Sequence, residues 1–199
     1  MAIAYIGEAY NNAGKAGIVQ ANTLAAQAHK GQGDGSGMAY IHHPRRVAWN
    51  LWRLHDNNIM NRPTEAQIMI ALLHDVIEDT YITARDLHNQ GFAPHVVKGV
   101  EILTKSGKSA TYDARIRNII DNGHSDAMRV KLCDLMDNLH PLRRNEMSMR
   151  DPLKAQHLYD KYAPALDKLS AALGINPDNV WRCIHRAQHD QPVNQPKRG

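Results

Sequence analysis

The stretch AQIMIALLHDVIEDT, residues 66–80, decides the fold. From Ala66 to Ile77 it is apolar on nearly all sides, so the helix it predicts is a buried one. A β-strand competes for such a run, but its length favours helix. Pro63 and Thr64 open the segment, with Thr64 as the candidate cap. At its far end stand one imidazole and three carboxyls: His74, Asp75, Glu78 and Asp79. His74 and Glu78, like Asp75 and Asp79, are four residues apart and so lie on adjacent helical faces. Burying these groups together is costly without compensation, and a divalent cation supplies it. The alternative is a helix that surfaces at its C-terminal end and leaves them in water.

Outward from this segment the pattern stays helical. Residues 19–30 are Ala-rich helix formers, stopped by GQGDGSG at 31–37. Pro44 stands where a helix begins at N1, and Val47, Leu51 and Leu54 share a face in the RRVAWNLWRL that follows. Further helices are expected over 83–90, 94–103, 112–121, 125–139 and 152–173, the last stopped by Gly174. Pro164 marks a kink or a break inside that last one. A final helix over 176–189 precedes a tail without apolar pattern, expected to be mobile. Convincing strand alternation is absent, so the fold class is all-α.

Composition narrows the function. At 199 residues and 43% hydrophobic, the chain suits one domain with a real core. No run reaches the roughly 18–20 apolar residues of a membrane span, and the N-terminus lacks the build of a signal peptide. Two cysteines, Cys133 and Cys183, make neither a disulfide scaffold nor a zinc ribbon. A cytoplasmic protein without a membrane partner is expected. The net charge of +4 is too small to imply a polyanionic partner. Basic residues are scattered and aromatics few, so no nucleic-acid partner is expected either. Trp49 and Trp52 read as core residues rather than base-stacking ones.

Two further stretches carry chemistry. In VKLCDLMDNLH, residues 130–140, Lys131, Asp134, Asp137 and Asn138 fall on one helical arc, with Leu132, Leu135, Met136 and Leu139 on the other. This is either an amphipathic helix with a solvated polar face or a helix that sets Asp134 and Asn138 over a shared site. In GMAYIHHP, residues 37–44, a His just before a helix start can point into a cleft. His42 reads as a surface residue, and His43 needs more than its own context.

Taken in order, these blocks resemble the HD phosphohydrolases, and among them the hydrolase domain of the RelA/SpoT alarmone enzymes and the small stand-alone alarmone hydrolases. AHKGQ…GMAYIHHP at 28–44 is similar to the family's AH.GQ…G.PYI.HP, and ALLHDVIEDT to its ALLHD.VEDT. GVEILTK at 99–105, VKLCDLMDNL at 130–139 and YAPALDKLSAALGI at 162–175 follow in the family's order. The likeness covers roughly 20–175. It implies a single HD helical bundle over 1–175, with a helix and tail at 176–199.

The resemblance also implies roles. His43, His74, Asp75 and Asp134 fall on metal-ligand positions, and Glu78 and Asp79 on the acidic pair that handles the attacking water. Asn138 falls on a substrate-contacting Asn, and Tyr162 near a Tyr beside the substrate. Imidazoles and carboxylates without thiolate suit a borderline or hard ion with open positions, Mn(II) in such a family. Such an ion activates water and polarises a phosphoryl oxygen. Lys105, Lys131, Arg143 and Arg144 are the candidate cations for phosphate.

Departures bear on the substrate. The family carries a basic residue two places after GQ, where this chain has Asp34. Its ADRLHN reads CDLMDN, with Leu135 for Arg and Asp137 for His. One expectation is therefore removal of 3′-pyrophosphate from (p)ppGpp-like alarmones. A second is hydrolysis of another nucleotide: an adenine alarmone, an NADPH-type phosphate or a (deoxy)nucleotide. A non-catalytic nucleotide sensor would lack a ligand or an acidic residue, and all six are present. Oligomeric state stays open.

Overall fold

The computed structural model describes residues 16–34, 37–105 and 111–186. Among them run α1 (Ala16–Ala28), α2 (His42–Asp56), α3 (Glu65–Leu73), α4 (Val76–Asp79), α5 (Ala84–Asn89) and α6 (Pro94–Leu103). Then come α7 (Tyr112–Asp121), α8 (Ser125–Asn138), α9 (Pro141–Arg150), α10 (Pro152–Ala172) and α11 (Pro177–Arg186). Apart from one isolated bridge between Gly33 and Ala39, no strand forms among the described residues. The fold is all-α. The expected mobile tail lies outside the described residues.

The 66–80 segment folds as two helices, not one. Thr64 caps α3 as read, closing a box in which Gln67 N–H donates to Thr64 Oγ1 (3.2 Å) and Thr64 N–H to Gln67 Oε1 (3.1 Å). Ile68, Ile70, Ala71, Leu72 and Leu73 are buried, as the all-round apolar pattern requires. The helix then stops at His74. The His74 ring takes the Ala71 carbonyl at 2.8 Å, the group a continuous helix would offer to the Asp75 amide. His74 and Asp75 form the turn between the two helices, with Asp75 at φ −107° and ψ −4° just before α4 begins.

Helix α3 is the central post, packed by α1, α2, α6 and α8. Gly99 lets α6 approach it. A Cβ there would stand 2.5 Å from Ile70 Cδ1 and 3.2 Å from His124 Cε1, and Ile70 is fully buried. Helix propensity favours Ala over Gly by up to ~1 kcal/mol, while overpacking costs ~1–3 kcal/mol. We expect Gly99→Ala to lose about 2 kcal/mol net, a Tm lower by about 4–8 °C in a thermal melt.

Other expectations need correction. Helix α2 starts two residues before Pro44, so the proline is not at N1. Of the kink or break expected at Pro164, the break does not form: α10 runs through it, with Ala155 on one side and Ala165, Leu166 and Leu169 on the other held in the packed interior. Helix α9 is an element missing from the sequence reading. Its signal was Pro141 at the first position, preceded by a His140 ring that accepts from Leu142 N–H. None of its residues is buried, so it has no apolar stripe to read. Helix α11 buries Val180, Cys183 and Ile184 in the same core as α3.

On α8 the structure decides between the two readings of the polar arc. The arc is not a solvated face: Lys131, Asp134 and Asp137 are buried along with Leu132, Leu135 and Met136. Charges in such a place require partners. Those partners define the site.

Candidate active site

Four donor atoms converge where α2, the 74–75 turn and α8 meet. His43 Nε2 lies 3.7 Å from Asp75 Oδ2 and 3.2 Å from Asp134 Oδ1. His74 Nε2 lies 2.9 Å from Asp75 Oδ2 and 4.0 Å from Asp134 Oδ1. Two ligands at ~2.1 Å from one ion stand ~3.0 Å apart at a right angle and ~4.2 Å apart across it. The four separations fall in or within a tenth of an ångström of that window. His74 Nε2 is buried and makes no hydrogen bond despite its closeness to Asp75. A ring nitrogen set between two carboxylates is placed as a cation ligand would be. His43, His74 and Asp75 therefore form a group that could hold a divalent metal, with Asp134 beside both imidazoles.

The surrounding bonds favour the same role. His74 Nδ1 is fixed by the Ala71 carbonyl and His43 Nδ1 by Asp137 Oδ2 at 2.7 Å. Both partners are acceptors, so each Nδ1 carries the proton and each Nε2 is left to bind a cation. Asp134 receives Lys131 Nζ on Oδ2 at 2.6 Å and Asn138 Nδ2 on Oδ1 at 2.7 Å. Asp75 Oδ2 receives the Tyr40 hydroxyl at 2.6 Å. Burial opposes the charge on Asp134, but Lys131 and the two imidazoles hold its carboxyl far below the usual range.

The acidic pair sits at the mouth. Glu78 Oε2 accepts from Arg115 Nη2 and from the Lys105 backbone N–H, both at 2.8 Å. The i,i+4 pairing of His74 with Glu78 is therefore not realised; Glu78 turns to α7 instead. Asp79 Oδ2 receives the Tyr40 hydroxyl at 3.2 Å. Partial burial, with the negative charges of Asp75 and Glu78, raises its pKa.

These groups line an open cleft of about 340 Å³. His43, Asp75, Glu78, Asp79, Lys105, Lys131, Asp134, Asn138, Arg143 and Tyr162 all border it. His74 lies buried beside its ligand partners. Arg144 is the exception among the expected cations. It stacks over Tyr159 at 4.2 Å in a neighbouring groove. Arg143 borders the cleft but is ion-paired to Asp137. Sequence reasoning missed Tyr40, Arg46, Tyr112, Arg115 and Lys161. Tyr40 was within reach, three places before His43 in a block already singled out. Arg115 and Lys161 look like any other surface cation, and only tertiary placement brings them here. Partial burial and the crowding of Lys131, Arg115 and Lys105 lower the pKa of Lys161. That crowding marks the wall as electropositive.

The ligand imidazoles set a pH test. Burial lowers the His43 pKa, but its bonds to Asp134 and Asp137 outweigh this and raise it to about 9. An unfolded His titrates near 6.5, so His43 stabilises the metal-free fold fully below that pH and loses this contribution as pH rises through 9. A metal must displace the same proton. Metal affinity is expected to climb ~tenfold per pH unit from 7 to 9, with at least about one proton released at pH 7. Calorimetry in buffers of different ionisation enthalpy measures both.

Comparison with known proteins shows what the chain is similar to. The HD domain family matches residues 21–170. The chain is 34% identical over 184 residues to "GTP pyrophosphokinase rsh" of Brucella melitensis, covering 83% of this chain and 23% of that one. It is 36% identical over 163 residues to "Bifunctional (p)ppGpp synthase/hydrolase SpoT" of Escherichia coli, covering 79% and 22%. The chain thus spans about a quarter of the length of these curated relatives. A solved structure described as "A metazoan ortholog of SpoT hydrolyzes ppGpp and plays a role in starvation responses" superposes with a TM-score of 0.62 at 26% identity. It covers 89% of this chain and 98% of that one.

Proposed function

Because this chain belongs to the HD domain family, we propose that it is a metal-dependent nucleotide phosphohydrolase that removes pyrophosphate from the 3′ position of (p)ppGpp-like alarmones. The carrying observation is the meeting of four ligand atoms, two carboxylates and a cationic wall in one cleft. Its relatives' names and the described activity of the metazoan structure support the same substrate.

His43 Nε2, His74 Nε2, Asp75 and Asp134 would hold the ion, Mn(II) by its taste for mixed imidazole and carboxylate donors. When bound, such an ion supplies Lewis-acid polarisation of a phosphoryl oxygen and a more acidic water. The chain's own residues do the rest. Asp79, with its raised proton affinity and a position beside Asp75, accepts the proton of the attacking water. Tyr40 holds Asp75 and Asp79 in one orientation through its hydroxyl. Glu78, tied down by Arg115, orients the water rather than taking its proton. Lys105, Lys131, Arg115 and Lys161 face the phosphates and stabilise the charge that spreads over their oxygens. Asn138 and Tyr162, which also border the cleft, would contact the nucleoside. Two buried thiols and a nucleotide substrate suit a cytoplasmic protein.

One observation favours the second reading, another nucleotide. Asp34 stands where the family has a basic residue, and its carboxylate is engaged by Arg46. A panel of ppGpp, GTP, dGTP, an adenine alarmone and NADPH with the Mn(II)-loaded protein decides between them. Pyrophosphate from ppGpp at the highest rate is the expected result. Turnover of another nucleotide with ppGpp untouched overturns the alarmone reading.

A further inference from the structure

Two acids without a catalytic role meet behind the metal cluster. Asp137 is buried on α8, and its Oδ2 accepts from His43 Nδ1 at 2.7 Å. Its Oδ1 accepts from Arg46 Nε at 2.7 Å, and Arg46 Nη2 reaches Oδ2 at 3.2 Å. The same Nη2 donates to Asp34 Oδ2 at 3.2 Å. Arg143 adds a further ion pair to Asp137. Arg143 also approaches His43 Nδ1 at 3.3 Å, but a guanidinium has no acceptor, so Asp137 is the partner that sets the tautomer.

The charges explain why these residues occur together. A carboxylate behind a ligand imidazole makes its far nitrogen a better donor. Buried alone, that carboxylate would be costly; the fork of Arg46 neutralises it with fixed geometry. Arg46 in turn has Asp34 on its other side. That side chain is only 2% exposed, and it comes from the loop that borders the substrate cleft. Asp34 and Asp137 are two of the three positions named above at which the sequence leaves the family pattern, and Arg46 bridges them.

We propose that Asp137 is a positioning residue for His43, and that Arg46 links it to Asp34, so that the cleft-bordering loop and the metal ligand are held as one unit. This rests on the metal reading of the cluster but on no choice of substrate. The relay fixes the His43 ring in the Nδ1–H form and sharpens its grip on the ion.

The test is Mn(II) binding by the 199-residue chain without nucleotide, with the His43 tautomer read by ¹⁵N NMR on the metal-free form above about pH 9, where the ring is neutral. Asp137→Asn is expected to bind Mn(II) about 10–100-fold more weakly and to lose the single Nδ1–H form. Asp34→Asn is expected to weaken binding several-fold. In the double variant the Asp34 change should add less than about twofold. A folded Asp137→Asn protein with wild-type affinity overturns the proposal, and so do two losses that simply multiply. If Asp137→Asn shows no cooperative unfolding, Arg46→Lys replaces it. That variant keeps the charge and loses the fork, so several-fold weaker binding is expected and unchanged binding overturns the relay. Failure of the underlying metal reading shows in the wild type alone, as no Mn(II) binding at all, and it takes the relay with it.

Discussion

Asp75→Ala is expected to abolish the proposed hydrolysis while the protein stays folded. The substitution removes one of four ligand atoms and the anchor of the Tyr40 hydroxyl. A metal supplies several kcal/mol of transition-state stabilisation, and each ~1.4 kcal/mol is a factor of ten, so kcat/KM should fall by about 10³-fold or more. The metal-free fold loses far less, about 1–2 kcal/mol. Its neighbours can adapt: Tyr40 keeps Asp79, and both imidazoles can shed a proton and become neutral. Steady-state kinetics with Mn(II) and a melt in chelator test the two halves separately. An Asp75→Ala protein with more than about a tenth of wild-type kcat/KM removes Asp75 from the ligand set.

Asp134→Ala has a second, larger effect on stability. Lys131 is buried and its ammonium lies 2.6 Å from Asp134 Oδ2. Burial alone would lower the Lys131 pKa, but Asp134 outweighs this and raises it. Without Asp134 that charge is left in the interior. Breaking a buried pair from one side costs ~3–5 kcal/mol, whereas an apolar replacement of both sides is close to neutral. Asp134→Ala should therefore melt about 10 °C below wild type in chelator, and Lys131→Met should recover most of the loss in the double variant. Activity should not return, because the ligand is still missing. A single variant that melts within about 2 °C of wild type would show that the pair is not buried as described. The two candidate ligands differ in what holds them, the Tyr40 hydroxyl in one case and the Lys131 ammonium in the other.

Much of this protein is local and so legible. Thr64 announces its helix because a cap needs only the residues that follow it. Gly174, with φ at 70°, ends α10 where the pattern stops. The segment 66–73 declares burial because its apolar residues cover the whole helical circumference. The candidate ligands His43, His74, Asp75 and Asp134 were named from motifs whose order along the chain resembles a known family. Helix α9 escaped notice for the opposite reason, having no buried face and hence no periodicity to detect.

The polar arc of α8 marks the boundary between the two kinds of knowledge. Lys131, Asp134, Asp137 and Asn138 lie on one side of that helix by spacing alone, and spacing cannot tell water from protein on that side. The sequence by itself determined the all-α architecture, the caps and stops, and which residue types could bind a metal. Tertiary structure alone decided that Asp137 meets His43 across 94 residues, that Arg46 joins Asp137 to Asp34, and that Arg115 meets Glu78 across 37. The physical reason is range. Helix propensity, capping and apolar periodicity act within a few residues of chain, whereas a charge interacts according to distance in space and the dielectric around it, and packing sets both.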